Sequence, residues 1–446
     1  MNISNSGYKV YRAEDIPENK LRALIFLLTY DNMREVIISD EFVLLPRFFN
    51  LDLGVEPINS TPRYIGNLAN YKKFTMRFKP RNHQIAPIQH LIAERNGILN
   101  LACGLGKTYC ALSLFAQTGI PTAVVVDKAN LIHQWKDAIA EHIVEDVDVG
   151  IVKGNKWQWQ DKRIVIISIG TLVSRLKKGT IPEGFFETFG LVIFDECHHL
   201  AANSLRKVAP CFKYQRVGLS ATPNREDGNE EIIFNHLGPI IYSDMRQELI
   251  PDLYFVDVET SADLPLKVRS RDGEINHRRL CSYLGELQDR NEKILSIVFK
   301  LKSQGHKILC LTHSVEHVGI MESLFKERIT KAVCGVSGVT PANQRKQLIE
   351  DSAISVATID IAAEALDVPA LSAVVITTPF GARTHGNILF QVLGRIQRKS
   401  YNKVKPIAVF IEDVNIGMCK NLMRQVRRRL KDASYNFTTN ADMYEM

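Results

Sequence analysis

A lysine and a threonine closing a glycine-rich turn are the first residues of this 446-residue chain that could do chemistry. In Cys103-Gly104-Leu105-Gly106-Lys107-Thr108 the turn follows an apolar run, Gly97–Leu101, and precedes a helical pattern. That context suits a phosphate-binding loop. Glycines let backbone N–H groups approach phosphate oxygens, and a helix N-terminus favours the anion. Lys107 would reach the β- and γ-phosphates, and Thr108 would offer its hydroxyl to Mg²⁺. The match is incomplete, because Leu101 stands where the full pattern has its first glycine.

Two carboxylates come next. Leu191-Val192-Ile193-Phe194 is an apolar strand pattern that ends in Asp195 and Glu196. A carboxylate at a strand's C-terminal end, beside a phosphate loop, is placed to hold Mg²⁺. Asp195 takes that role, and Glu196 would orient or deprotonate the attacking water. Ser220-Ala221-Thr222, after Val217-Gly218-Leu219, could relay between this site and the rest of the chain. Far downstream, Gln391-Val392-Leu393-Gly394-Arg395-Ile396-Gln397-Arg398 places two arginines three apart, on one face of an expected helix,. Guanidinium groups bind phosphate in a bidentate way and stabilise charge that develops on it. Arg398 or Arg395 would be such a group. The bland alternative is a solvated basic helix face.

These residues need a scaffold that presents strand ends side by side. From about residue 76, short β-branched runs alternate with helical patterns: Gly97–Leu101, Thr122–Val126, Val149–Val152, Ile164–Ser168 and Leu191–Phe194. Continuous apolar strands between helices indicate a parallel sheet buried on both faces. The pattern pauses near Ile240–Asp257, and a polar, basic, linker-like stretch follows with an Asp272-Gly273 turn,. A second series then begins with a helix over Asp289–Ser303 and strands at Lys307–Leu311, Ser355–Ala357, Ala373–Thr377 and Ile407–Ile411. The expected fold is α/β, with two tandem phosphate-loop-type units behind a small accessory region. The expected boundaries are 1–75, 76–248 and 249–446. In the first region a helix over Ile16–Tyr30 precedes short apolar runs.

Composition supports a globular chain, with 45% apolar and 24% charged residues,. A net charge of +7 permits a polyanionic partner without requiring one,. The eight cysteines are scattered with no CxxC pair, which argues against a disulfide framework and a zinc site,. The twelve histidines likewise show no metal-ligand spacing. No secretory leader pattern and no long apolar run occur, so a cytoplasmic location is the expectation.

Taken in order, the motifs resemble those of the superfamily 2 helicases of DExH type, over about residues 78 to 400. Arg81 and Gln84 in RNHQ resemble the family's adenine-reading segment. CGLGKT, DECH, SAT and QVLGRIQR resemble its motifs I, II, III and VI. Ala357-Thr358 and Glu364-Ala365-Leu366-Asp367 resemble motif V, with Ala365 where a glycine is usual. The resemblance implies two RecA-like domains, ATP and Mg²⁺ as cofactors, and Gln391, Arg395 and Arg398 as catalytic partners of Lys107, Asp195 and Glu196. It also implies that Cys103, Gly104, Leu105, Gly106 and Asp367 contact the nucleotide. By the same likeness, Lys128, Gly170, Thr171, Thr312, His313 and Thr358 face a nucleic-acid strand, and His198 couples the two ligands. LACGLGKT, LIHQW, DECHH and GLSATPNREDG resemble the branch-acting DNA helicases, the RecG, UvsW and XPB-like group, as in a compact bacteriophage enzyme.

That group implies DNA as partner, in forks or junctions, and a monomeric motor. A duplex translocase without strand separation and an RNA helicase stay open. A non-catalytic binding protein fits badly, because Lys107, Glu196 and both arginines are present. Lys267, Arg269, Arg271, Arg278 and Arg279, and the run Lys420, Arg424, Arg427, Arg428, Arg429 and Lys431, either bind duplex backbone or are solvated surface. Trp157 and Trp159 either stack on a base or pack on the motor. Gln134-Trp135 reads as packing.

Overall fold

A computed structural model describes residues 7–30, 33–59, 71–102, 104–197, 202–221, 230–246, 249–363, 368–380, 382–398, 400, 402–433 and 435–439. The chain forms two compact units, Met1–Arg246 and Gln247–Met446. Each is built on one large sheet.

In the first unit the strand order is Ile240–Asp244, Gly97–Leu101, Gln215–Ser220, Leu191–Phe194, Thr122–Val126, Ile164–Ser168, Val149–Lys153 and Lys156–Trp157. Every pairing is parallel except the hairpin that ends the list. The physical reason is composition. Runs such as Thr122-Ala123-Val124-Val125-Val126 are apolar at every position, so both faces must be covered by helices,. Two separate cores, one on each face, do this. Parallel strands in a shared direction bring the ends at Leu101, Ser220, Phe194, Val126 and Ser168 to one edge. CGLGKT, DECH and SAT lie at three of those ends, and Lys128 and Gly170 follow the other two.

The second unit repeats the logic. Its all-parallel order is Asp252–Val258, Ile407–Asp413, Ala373–Ile376, Ile308–Thr312, Ile354–Thr358 and Val333–Val336. The expected α/β architecture with two tandem RecA-like units is thus present. The stretch expected as linker is folded. Leu266–Val268 is a short 3₁₀ turn, and His277–Glu286 is a helix. Leu264, Val268, Leu280 and Leu284 pack there with Ile416 and Cys419. The Asp272-Gly273 turn forms, with Gly273 at φ +85°. Periodicity missed the helix because its polar residues outnumber its few anchoring leucines.

The N-terminal element has a small core of Tyr11, Ile16, Leu24, Leu28, Val36, Val43, Leu45 and Leu53. Its helix covers Glu18–Leu27, and Tyr8–Arg12 pairs antiparallel with Phe42–Pro46. Arg216, on the strand Gln215–Ser220, is fully buried and holds this element in place. Its Nε donates to Phe212 O at 2.8 Å, Nη1 to His236 O at 3.0 Å and Nη2 to Gly7 O at 2.8 Å. A side chain at position 7 would lie 2.1 Å from that guanidinium, so only glycine fits. Arg47 reaches the other way, donating to the carbonyls of Tyr214 and Lys213. Among the described residues no helix is long and apolar enough to cross a membrane.

Replacing Arg216 with Met leaves three buried carbonyls without their donor. Each such loss costs about 1–3 kcal/mol. Urea unfolding is expected to show a destabilisation of roughly 3 kcal/mol or more. A variant as stable as the parent would remove this arginine as the anchor.

Candidate functional site

The phosphate loop is shaped by two left-handed glycines, Gly104 at φ +91° and Gly106 at φ +86°. Gly106 is required for a second reason: a Cβ there would meet Gln84 Nε2 at 2.2 Å. Gln84 is buried on the helix Asn82–Glu94. Its Nε2 donates to Leu105 O at 3.2 Å, and its Oε1 accepts the Arg81 N–H at 2.9 Å. One amide therefore ties the RNHQ segment to the loop. Lys107 opens the helix Lys107–Thr118, with Thr108 beside it. Lys107 Nζ lies 3.3 Å from Glu196 Oε1 and 3.4 Å from Leu101 O. These are long contacts, weak enough to be exchanged for phosphate oxygens.

Asp195 follows the strand Leu191–Phe194, and its carboxylate is enclosed. Its Oδ2 accepts the Trp135 Nε1–H at 2.8 Å, and its Oδ1 accepts the Glu196 N–H at 3.1 Å. Burial, then the neighbouring Glu196 charge, push the Asp195 carboxyl up to about 6, while Trp135 and Lys107 oppose the shift. A buried carboxylate raised in this way is a group that gains from a bound cation. Glu196 has φ +43°, the left-handed region that a non-glycine residue enters at a cost,. The strand between these two motifs ends at Ser220, which is fully buried. Lys107, Asp195 and Glu196 thus converge as the sequence predicts, and the donor set fits Mg²⁺ with a nucleotide.

In the second unit, Gln391 and Arg395 lie on the helix Ala382–Ile396. Arg398 does not share that helix face. It sits past the helix end, in a bend, with its carbonyl accepting Lys403 Nζ at 2.6 Å. The intervening Gln397 is buried and donates to Tyr435 Oη at 3.0 Å, which turns the chain.

The expected strand contacts divide by exposure. Lys128 and Gly170 are on the surface. Thr171 Oγ1 accepts the Gly154 N–H at 2.9 Å. Thr312 is fully buried, and its hydroxyl pairs with His317 Nδ1 at 2.9 Å. Thr358 is buried as well. His313 is half-buried and held by Thr378, as described below. Cys103, His198, His199, Thr222 and Asp367 lie outside the described residues.

Residues 77–225 match the family model of the type III restriction enzyme res subunit, and residues 289–400 match that of the helicase conserved C-terminal domain. The chain belongs to the superfamily 2 helicases. It is 24% identical over 426 residues to a protein of Acanthamoeba polyphaga mimivirus named as a candidate ATP-dependent RNA helicase, with 89% of this chain and 76% of that one covered. It is 34% identical over 170 residues to the DNA 3'-5' translocase XPB2 of Sulfurisphaera tokodaii, covering 38% of this chain but only 36% of that relative. S. cerevisiae Dbp5 bound to RNA and ADP BeF3 aligns with a TM-score of 0.57 at 13% identity, over 82% of this chain and 92% of that one. At that identity the likeness is one of fold alone.

The matched domains indicate an ATP-hydrolysing nucleic-acid helicase, and the structure gives definite partners to aromatic residues that the motifs left open. Trp135, 2% exposed, is not only packing: its indole N–H holds the Asp195 carboxylate. The signal was the LIHQW segment itself, which names the residue without its partner. Tyr109 Oη donates to Phe78 O at 2.5 Å, fixing a half-exposed aromatic ring just before RNHQ. Trp157 and Trp159 pack edge-on against Phe185, at 5.0 and 5.5 Å between centroids.

Two outcomes follow for the helicase site. Trp135→Phe keeps the ring and removes the donor to a charged acceptor, a bond worth about 1.5–3 kcal/mol. Single-turnover ATP hydrolysis should slow roughly tenfold or more, with nucleotide affinity little changed. Asp195→Asn should abolish hydrolysis yet raise the melting temperature of the nucleotide-free protein at neutral pH. The native carboxyl titrates near 6 when folded, against 3.8 in the unfolded chain, so its ionisation penalises folding fully above about pH 6,. The gain should shrink as pH falls through about 6, and differential melting across pH would reveal its absence.

Proposed function

We propose that this chain is an ATP-driven DNA motor that unwinds or remodels branched DNA. The observation that carries this reading is the meeting of Lys107, Glu196 and Trp135-held Asp195 at one strand edge. Thr108 and Asp195 would hold Mg²⁺. Lys107 would engage the phosphates of ATP, with Gly104, Leu105 and Gly106 supplying backbone donors. The cation neutralises charge on the phosphates when bound. Glu196 would orient the attacking water and accept its proton, after Lys107 leaves it for phosphate. Arg81 and Gln84, with Phe78 beside them, would read the base, and Asp367 would add a contact to the same nucleotide. Arg398, or Arg395, would stabilise the charge developing on the γ-phosphate, and Gln391 would support that role.

Lys128 and the backbone at Gly170–Thr171 suit phosphate contact on a strand, which positions without reading sequence. On the helix Gly417–Asp432, Lys420, Arg424, Arg428 and Lys431 form an exposed stripe opposite the buried Cys419, Met423, Val426 and Leu430. Arg427 is not part of it, because it is paired with Glu412 at 3.1 Å through Nη2. DNA is favoured by the likeness to the archaeal translocase, whose name specifies DNA. An RNA substrate is the second reading, favoured by the longer match to the viral relative. ATPase stimulation by single-stranded, duplex, forked and four-way DNA, with RNA as control, separates them. Preferential stimulation by RNA would overturn the DNA reading.

Lys107→Ala is expected to abolish ATP hydrolysis while DNA binding in a mobility-shift assay stays within a few fold. Arg398→Ala should slow hydrolysis by about 10³-fold or more with ATP binding retained. Unchanged turnover in the second variant would move the role to Arg395.

A further inference from the structure

Three side chains of the second unit outside the ATP chemistry, one of them the His313 expected to face a strand, come together beside the strand Ile308–Thr312. His277 and Cys281 stand one turn apart on the helix His277–Glu286, on the same face,. His313 follows the strand's C-terminal end. One ring nitrogen of each histidine and Cys281 Sγ lie within 4.8 Å of one another. The sequence reading saw no ligand spacing among the histidines, and this grouping becomes visible only in the fold. The His-x-x-x-Cys step is a helical ligand spacing, hidden because its third member lies far along the chain.

We infer that His277, Cys281 and His313 form a zinc-type metal site. Soft thiolate with imidazole selects Zn²⁺ over Mg²⁺ or Ca²⁺, which prefer oxygen. The spacing agrees with that ion. Zinc–sulfur and zinc–nitrogen bonds of about 2.3 and 2.0–2.1 Å, at a tetrahedral angle, separate N from S by about 3.6 Å. His277 Nε2 lies 3.6 Å from Cys281 Sγ. The rings of His277 and His313 meet at 87° with centroids 4.9 Å apart, so two imidazoles converge on one point without stacking.

The surroundings supply the support that metal ligands need. His313 is fixed by Thr378, whose Oγ1 accepts the His313 backbone N–H at 3.1 Å and lies 3.0 Å from its Nδ1. Nδ1 is thereby engaged, and Nε2 is the nitrogen that would ligate. A fourth ligand, water or the Pro379 carbonyl 3.0 Å from His277 Nε2, would close the tetrahedron. Cys281 is fully buried, and it would bind the metal as a thiolate, its proton released on binding,. Bound metal would cross-link the folded segment around residues 264–286 to the ends of two core strands, Ile308–Thr312 and Ala373–Ile376. Its role is structural, and it is separate from the Mg²⁺ site at Thr108 and Asp195.

The test uses the full-length, untagged protein. After dialysis against a chelator, Co²⁺ is titrated in and followed by absorption. The expected result is a thiolate-to-cobalt charge-transfer band saturating at one ion per chain, bleached by Zn²⁺, with a rise in melting temperature. Cys281→Ser should lose the band. His277→Gln, at a half-exposed position that the fold tolerates, should lose or greatly weaken binding while circular dichroism is unchanged. Thr378→Val should keep the band and weaken Co²⁺ binding roughly tenfold. Absence of the band in the parent protein, its survival in Cys281→Ser, or undiminished binding by His277→Gln would each overturn the assignment.

Discussion

A carboxylate enclosed by protein governs the first unit. Asp195 has lost its water to the surrounding strands and helices, and an ionised group in that position is costly unless donors or cations replace the water,. Trp135 and the Glu196 amide replace part of it. The second carboxylate next door makes matters worse, and Lys107 offsets both. Two adjacent carboxylates thus share one nearby lysine. The residues around them follow from that arrangement. Gln84 sets the loop that positions Lys107, Gly106 admits Gln84, and Trp135 occupies the core where a smaller residue would let the carboxylate swing.

The sheets make such a site possible. A parallel sheet with both faces covered has its polar backbone ends only at the strand termini. Chemistry therefore gathers at one edge, at the ends of strands distant in sequence. In the first unit the strand carrying Ser220 lies between the strands carrying the phosphate loop and Asp195. A hydroxyl in that position sits at the centre of the arrangement, although its tripeptide has almost no signal of its own.

Strands such as Gly97–Leu101 and Thr122–Val126 were legible in the sequence because full burial demands uninterrupted apolar residues. Lys107, Asp195 and Glu196 could be singled out because Asp195 and Glu196 follow such a strand directly and Lys107 closes the short glycine turn after another. What stayed hidden depends on contacts between distant positions. Trp135 looks like packing until its partner, 60 residues on, is known. Arg216 reads as an ordinary strand arginine, and nothing local announces three carbonyls around it. The helix His277–Glu286 carries too many charges to look like a folded element, since its anchoring comes from Ile416 and Cys419. Arg398 was placed on a helix by simple spacing, and the burial of Gln397 ends that helix early.

Arg216 has a mechanical meaning. Its guanidinium is surrounded by backbone carbonyls, with no carboxylate paired to it among the described residues, so pulling Gly7 away would leave a cation short of a partner in a dry interior,. The N-terminal element is therefore a rigid handle and not a tethered module. A load applied to it would enter the strand Gln215–Ser220, which runs between the strand before the glycine-rich loop and the strand before Asp195.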